Sequence, residues 1–289
     1  MAIARLIADM ARLESRLDQA CTAMIAPGVE VVETDGLPEG VLQFIGPSVE
    51  ILHEGLDDLF PDDDWLCAEE AVTSPDLFVS DMDSTMIGQE CIDELADYAG
   101  IKDQIAAITE RAMLGELDFE DALRERVALL AGLPESAIDQ CLAERIRPNP
   151  GARNLVQGLK ARGARTILVT GGFHHFADKV AEEIGFDRVV GNRLQVKGGV
   201  LTGKLDGPVS DAQTKARVLA AEAGLLERSL GRSVVSCAIG DGANDIPMIK
   251  AATYGFAYCA KPKAREAAGG RIATGNLANA LLLLGSPSI

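Results

Sequence analysis

Three short apolar segments of this chain each end abruptly in acidic, hydroxyl or glycine residues. Leu77–Ser80 runs into Asp81, residues 165–169 run into Thr170, and residues 234–239 run into Gly240 and Asp241. Short, nearly continuous apolar runs are typical of strands that are buried on both faces of a parallel sheet. Helical patterns separate these strands, and this alternation predicts an α/β fold built on a doubly wound parallel sheet.

A block with only helical patterns interrupts this alternation. Helices are expected over residues 87–99, 103–114, 118–131 and 135–145, with Asp118 as the N-cap of the third and Gly132 at its end. Pro148 and Pro150 close the block. We therefore predict an inserted all-helical cap over residues 88–148, and a core made of residues 76–87 and 149–289.

Residues 1–75 form a small N-terminal α/β segment in which no catalytic pattern is found. The apolar spacing from Ile3 to Leu17 predicts a helix, residues 29–32 and 41–45 predict strands, and residues 49–60 predict a second helix. The acidic run Asp62–Asp64 is interpreted as a solvated joint. Three roles stay open for this segment: a reduced regulatory domain, packing for the core, or the surface of a homodimer.

The charge balance limits the classes of partner. The chain has 27 Lys and Arg against 44 Asp and Glu, a net charge of −17. Nucleic acids and anionic membranes attract basic patches, so neither partner is expected. No apolar run reaches the roughly 18 residues of a transmembrane helix, and the first 20 residues lack the core of a signal peptide. We expect a cytoplasmic protein with free thiols.

The acidic residues at the strand ends predict a metal site. If the three strands are neighbours, at least three of the carboxylates of Asp81, Asp83, Asp241 and Asp245 converge. Two unit charges about 4 Å apart repel by about 4 kcal/mol at an effective dielectric constant of 20. Because oxygen ligands suit a hard divalent cation, Mg²⁺ is the expected cofactor.

The same strand ends carry groups suited to phosphoryl transfer. Thr170, Gly171 and Gly172 offer a hydroxyl and backbone N–H groups to a phosphate, and Lys215 can add a positive charge. One carboxylate of the Asp81–Asp83 pair can attack phosphorus while the other protonates the leaving oxygen and later deprotonates water. This pairing indicates a hydrolase.

The motifs Asp81–Thr85, Thr170–Phe173, Lys215 and Gly240–Asp245 resemble the four motifs of the haloacid dehalogenase superfamily of phosphatases. The resemblance covers residues 76–275 and implies a Rossmann-like core with a helical cap. It implies that Asp81 is the nucleophile and Asp83 the general acid and base. It also implies that Mg²⁺ is held by Asp81, by the carbonyl of Asp83 and by Asp241, with Asp245 acting through water. The residues implied to bind phosphate are Thr170, Gly171, Gly172, Lys215 and Asn244.

Two charged residues of the cap carry the substrate prediction. Glu90 begins the first cap helix, and Arg126 interrupts the apolar face of the third. In the resembling family, the residues at these places bind the amino acid, so Glu90 would pair with an ammonium group and Arg126 with a carboxylate. Met113 and Phe119 match positions that line the pocket. The resemblance thus implies hydrolysis of O-phospho-L-serine, the last step of serine biosynthesis.

Other functions remain open at this point. A phosphotransferase that passes the phosphoryl group to homoserine would need the same acid pair, and a phosphatase for another small phosphomonoester would share the core. A non-catalytic ligand-binding protein is an alternative from a different class. A cation-pumping ATPase is disfavoured, since its intermediate is protected from water and Asp83 would expose it.

Overall fold

The computed structural model describes residues 1–7, 28–32, 37–113 and 116–285, with Met113 as backbone alone. Its strands are β1 (Ala2–Ile7), β2 (Glu30–Val32), β3 (Val41–Gly46), β4 (Asp64–Ala68), β5 (Leu77–Ser80), β6 (Arg165–Phe173), β7 (Arg188–Lys197), β8 (Val200–Asp206), β9 (Ser236–Gly240), β10 (Tyr254–Tyr258) and β11 (Gly270–Ile272). They form one sheet in the order β2-β3-β1-β4-β11-β10-β9-β5-β6-β7-β8.

The helices are α1 (Val49–Leu59), α2 (Cys91–Tyr98), α3 (Lys102–Met113), α4 (Phe119–Ala128), α5 (Ser136–Arg145), α6 (Ala152–Ala161), α7 (His174–Ile184), α8 (Ala212–Leu230), α9 (Ile246–Ala251), α10 (Pro262–Ala267) and α11 (Ala278–Leu283). A short 3₁₀ helix covers Ala243–Asp245.

The middle of the sheet is parallel, as the apolar runs predict. Strand β5 lies between β9 and β6, with Ser80 paired to Ile239 on one side and Leu168 on the other. The three strands that end in the predicted motifs are therefore adjacent, and their carboxyl ends meet at one edge of the sheet.

Both faces of the central sheet are buried. Leu77 and Val79 of β5 belong to one apolar cluster together with Leu219 of α8. Phe78, on the opposite face, belongs to another cluster that includes Leu155 of α6. Because successive side chains of a strand point to opposite faces, this arrangement requires helices on both sides of the sheet. The α/β prediction of a doubly wound sheet is confirmed.

The helices α2 to α5 are inserted after β5, where the cap is predicted. The two linkers that join this cap to the core run side by side, with a bridge between Ile87 and Pro148. The amide N–H of Asn149 donates to the carbonyl of Met86 at 2.9 Å, and its side chain donates to the carbonyl of Thr85 at 2.8 Å. These bonds fix the base of the cap immediately after the β5 motif.

The cap also contacts the β7–β8 hairpin. Gly198 and Gly199 form the hairpin turn with φ values of +64° and +77°, which suit glycine. Backbone hydrogen bonds join the hairpin to the loop after α4: Gly132 donates to Leu201 at 2.8 Å, and Leu201 donates to Leu133 at 2.8 Å. The cap is thus attached to the core at two separate places.

The N-terminal segment differs from its prediction in two respects. Residues 2–7 form β1, so the helix expected from Ile3 onwards is wrong there, while residues 8–17 lie outside the described part. Ala2, Ala4 and Leu6 are buried on one face, and this period of two was missed because alanine is a weak apolar signal.

Asp64 does not belong to a solvated joint. It is fully buried, and its Oδ1 accepts from the amide N–H groups of Ala273 and Thr274 at 2.6 and 2.9 Å. Strand β4 pairs with β11, so the N-terminal strands continue the core sheet. The predicted division at residue 75 stays a prediction. Within the described residues, no helix is long and apolar enough to span a membrane.

Candidate active site

A cavity of about 210 Å³ lies at the carboxyl end of the central strands, beneath the cap. Both the core and the cap contribute residues to the lining of this cavity. The core contributes the strand-end residues, and the cap contributes residues of α2 and α4 and the N-cap of α2. The lining residues are Asp81, Asp83, Glu90, Ile92, Phe119, Leu123, Arg126, Thr170, Gly171, Gly172, Phe173, Asp241, Asn244 and Lys261.

Asp81 is held from two directions at the end of β5. Its Oδ1 accepts from the N–H of Met82 at 2.8 Å and lies 2.7 Å from Nζ of Lys215. Burial raises the pKa of Asp81 well above its usual range, and repulsion from Asp245 adds to the rise, while Lys215 opposes both. A cation near this carboxylate therefore favours the ionised form that a nucleophile requires.

Lys215 is buried beside Asp81, with 1% of the residue exposed, and is not among the residues that line the cavity. Its Nζ is 2.6 Å from Oδ1 of Asp245. Burial by itself lowers the pKa of Lys215, but the carboxylates of Asp81 and Asp245 outweigh it and raise that pKa overall. The ammonium group is therefore charged and acts through its ion pair with Asp81.

Asp81, Asp241 and Asp245 form an acidic cluster that fits a metal ion. One carboxylate oxygen from each lies within 4.8 Å of the others. Burial raises the pKa of Asp241 to about 6, with repulsion from Asp245 as the next cause. A divalent cation would remove this repulsion, and an all-oxygen donor set suits a hard cation. These residues therefore fit the metal ion that the sequence predicts.

Asp245 also organises the loop after β9. Its Oδ2 accepts from the N–H of Asp241 at 3.2 Å and from that of Gly242 at 3.0 Å. A Cβ atom on Gly240 would lie 2.3 Å from Cγ of Asp245, so only glycine leaves room for this side chain. The predicted role of Asp245 in orienting the metal shell remains a prediction.

Asp83 lines the same cavity, two residues after Asp81. Its Oδ1 accepts from the N–H of Cys91 at 3.2 Å, which ties it to the start of α2. Burial raises the pKa of Asp83 to about 7, and repulsion from Glu90 adds to this rise. A carboxyl group with a pKa near neutrality can both donate and accept a proton, which suits a general acid and base.

Thr170, Gly171 and Gly172 lie at the carboxyl end of β6. The strand continues to Phe173, and α7 begins at His174, so the two glycines lie in the last part of β6, before the helix. The Oγ1 of Thr170 accepts from the N–H of Gly172 at 2.8 Å. The backbone folds back on the threonine hydroxyl, and the three residues face the cavity together.

The cap residues of the prediction also reach the cavity. Glu90 is the N-cap of α2, and its Oε1 accepts from the hydroxyl of Ser84 at 2.8 Å. Arg126 is half-buried on α4, and burial lowers its pKa while Asp93 and Glu90 oppose that change. A Cβ on Gly171 would lie 3.3 Å from Cζ of Phe119, so the cap is in contact with the backbone at the carboxyl end of β6.

Some lining residues escaped the sequence prediction. Ile92, Leu123 and Phe173 are apolar and carry no chemical signal. Lys261 follows β10, and its N–H donates to the carbonyl of Asp241 at 3.0 Å. Its position just after a fourth core strand was the signal that could have found it. Asn244 lies in the 3₁₀ helix and lines the cavity as expected, whereas the side chain of Met113 lies outside the described residues.

Residues 78–250 match the family of haloacid dehalogenase-like hydrolases. With the parallel core, the inserted cap and the acidic strand ends, this match defines the class: the chain belongs to the haloacid dehalogenase-like hydrolase family.

Within that class, the chain is similar to phosphoserine phosphatases. The phosphoserine phosphatase of Streptococcus thermophilus is 49% identical over 192 residues, which cover 65% of this chain and 86% of that protein. A solved structure of a phospho-aspartyl intermediate analogue of phosphoserine phosphatase is 38% identical, with a TM-score of 0.64. The match covers 72% of this chain and 98% of the chain in that structure.

The similarity in fold also includes the N-terminal strands. A haloacid dehalogenase family hydrolase from Salmonella enterica serovar Typhi superposes with a TM-score of 0.84 at 26% identity, covering 98% of this chain and 99% of its own.

Proposed function

We propose that this chain hydrolyses O-phospho-L-serine to L-serine and inorganic phosphate in the cytoplasm, as the final step of serine biosynthesis. One observation carries the proposal: the cavity that contains the Asp81–Asp83 pair is also lined by Glu90 and Arg126. An acid and a guanidinium complement the ammonium and carboxylate groups of an amino acid. The similarity to phosphoserine phosphatases supports the same substrate.

The reaction divides into two transfers at phosphorus. A carboxylate oxygen of Asp81 attacks phosphorus, and the bond from phosphorus to the serine oxygen breaks as Asp83 gives that oxygen a proton. The product on the enzyme is an aspartyl-phosphate. Asp83, now ionised, takes a proton from water, which attacks phosphorus and releases Asp81 and phosphate.

Other residues hold the phosphoryl group during both transfers. The hydroxyl of Thr170 and the N–H of Gly171 bind its oxygens, with Gly172 and Asn244 beside them. Lys215 favours the ionised form of Asp81 and holds its side chain in place through their 2.7 Å contact. The phosphoryl oxygens carry most of the charge of the transition state, so fixed donors and cations stabilise it.

A magnesium ion is the cofactor that we assign to the acidic cluster. Asp81 and Asp241 would hold it with the carbonyl of Asp83, and Asp245 would orient the bound water. When bound, Mg²⁺ neutralises charge on the phosphoryl oxygens and so favours attack by a carboxylate.

The test is a screen of phosphate monoesters, with and without Mg²⁺, that includes L- and D-phosphoserine and sugar phosphates. We expect phosphate release from L-phosphoserine with the highest kcat/KM, dependent on the metal. Higher kcat/KM for a sugar phosphate would contradict the proposed substrate. A parallel reaction with homoserine, analysed for phosphohomoserine, separates hydrolysis from phosphotransfer.

A further inference from the structure

The pairing between β6 and β7 is interrupted beside residues 170–172, the phosphate loop of the proposed function. Val169 pairs with Val190 and Phe173 pairs with Asn192, so three residues of β6 stand opposite the single residue Gly191. A Cβ on Gly191 would lie 3.0 Å from Cγ2 of Thr170, which shows how closely the loop packs on β7. A bulge of this kind takes backbone groups of the loop out of the regular ladder, so they need other partners.

The side chain of Asn192 provides one such partner. It is 2% exposed, and its Nδ2 donates to the carbonyl of Gly171 at 2.7 Å. Its Oδ1 accepts from the N–H of Ser210 at 2.8 Å. Because one contact is a carbonyl and the other an N–H group, the two contacts together fix the orientation of the amide.

Asn192 thereby connects two parts of the phosphate site. Gly171 belongs to the loop that receives the phosphoryl group, and Ser210 precedes α8, the helix that carries Lys215. Glycine has no side chain through which its neighbours could hold it. The Asn192 amide supplies a fixed connection between this flexible position and the start of the Lys215 helix.

We propose that Asn192 is a positioning residue that sets the orientation of Gly171 for phosphate binding. It does not contact the substrate; it acts through the carbonyl of Gly171. This inference rests on the proposed function in that the loop must bind a phosphoryl group. Loss of the Asn192 bond should therefore weaken the affinity for phosphate itself, whatever alcohol the substrate carries.

The test replaces the amide by an acid. Asn192→Asp keeps an acceptor for Ser210 but, when ionised, presents an oxygen to the carbonyl of Gly171. Gln195→Glu is the matched control, since Gln195 lies on the same strand and its amide bonds to Asp206 and Thr202, away from the loop. Inorganic phosphate is the probe, and its Kd is measured by calorimetry on the Mg²⁺-supplemented full chain, with thermal unfolding as the check on folding.

We expect the Kd for phosphate of Asn192→Asp to rise about tenfold over wild type at about pH 8, the effect of losing one hydrogen bond and placing two acceptors together. A buried carboxyl has a raised pKa, so at about pH 5 it is protonated and donates to Gly171 again. The ratio of the Kd of Asn192→Asp to the Kd of wild type, both measured at this lower pH, should then return towards one. Gln195→Glu should stay close to wild type at both pH values.

A folded Asn192→Asp variant that binds phosphate as wild type does at about pH 8 would overturn the proposal. A loss that fails to recover at low pH, or that Gln195→Glu shares, would also overturn it. If Asn192→Asp does not fold, the neutral Asn192→Ser variant replaces it, and wild-type phosphate affinity in that variant is the contradicting result. Because the probe is phosphate, a failure of the phosphoserine screen leaves this test intact.

Discussion

Nζ of Lys215 lies 2.7 Å from Asp81 and 2.6 Å from Asp245, so one buried ammonium joins the ends of two neighbouring strands. Asp81 follows β5, Asp245 belongs to the loop after β9, and Lys215 comes from α8. The charge on the lysine opposes the rise that burial causes in the pKa of Asp81. Asp81, the proposed nucleophile, and its ion pair thus form part of the folded core as well as of the candidate active site.

The Lys215→Met substitution tests this ion pair. We expect the free energy of unfolding to fall by about 3 kcal/mol, because breaking a buried ion pair leaves an uncompensated charge. Hydrolysis should be lost as well. Urea unfolding without metal measures the first effect. Lys250→Met, an exposed lysine on α9, is the control and should change stability by less than about 0.5 kcal/mol. An equal effect of both substitutions would contradict the role of the pair.

The Arg126→Ala substitution tests the proposed contact between Arg126 and the carboxylate group of the substrate. We expect kcat/KM for phosphoserine to fall about 100-fold, since charge-assisted hydrogen bonds to the carboxylate are lost. Hydrolysis of an aryl phosphate should change much less, because that substrate has no carboxylate. Arg124→Ala is the matched control: it lies on the same helix but pairs with Glu120 on the exposed face. Equal losses of kcat/KM on both substrates would count against this contact.

The raised pKa values of Asp83 and Asp241 predict how the free energy of unfolding depends on pH when no metal is bound. The pKa is raised to about 7 for Asp83 and to about 6 for Asp241 in the folded chain. Both values exceed the roughly 3.9 of an unfolded aspartate, so between about pH 4 and pH 7 the folded state binds more protons. Its free energy of unfolding should therefore decrease as the pH rises through this window.

Thermal unfolding across that window measures the effect. Asp241→Asn should reduce the pH dependence, and Mg²⁺ should raise Tm at neutral pH in wild type but much less in the variant. Asp103→Asn, an exposed aspartate on α3, controls for the general repulsion in a chain of net charge −17. Equal behaviour of Asp103→Asn and Asp241→Asn would contradict a specific effect of the buried Asp241 carboxyl group.

Lys261 was not predicted as a site residue from the sequence, and its place in the cavity leads to a further prediction. Its side chain lines a cavity with several carboxylates, so it can attract an anionic substrate into an acidic protein. We expect Lys261→Met to lower kcat/KM about tenfold at low salt, mainly through KM, and much less at high salt. Lys263→Met, on the adjacent helix α10, should leave kcat/KM unchanged. A loss that is independent of salt would contradict steering by Lys261.

The sequence predicted the parts of the fold that depend on local patterns. Strand β5 is apolar on both faces and is followed directly by Asp81. The sequence therefore predicted both the burial of this strand and a candidate site residue at its carboxyl end. The same holds for the loop that carries Asp241. The helix expected from Ile3 was wrong for residues 2–7, because a few apolar residues fit both a helical and an alternating period when small residues lie between them.

What the sequence could not show depends on which elements become neighbours. Lys215 was expected near the phosphate, but its burial under Asp81 follows from the packing of α8 on the sheet. Asn192 carries no motif, and Lys261 is marked only by its place after a core strand. Each becomes relevant because β7 or β10 lies beside a strand that ends in the site. Their contribution is set by tertiary contacts that no local pattern encodes.

The most direct test of covalent catalysis by Asp81 is to trap the intermediate. The enzyme is mixed with Mg²⁺ and with phosphoserine that carries the radiolabel in its phosphoryl group. The mixture is quenched with acid, the protein is digested, and the labelled peptide is sequenced. We expect a label that is stable in acid and labile in base, located on the peptide that contains Asp81 and absent from the Asp81→Asn enzyme. Label on another residue, or turnover by the Asp81→Asn enzyme, would contradict it.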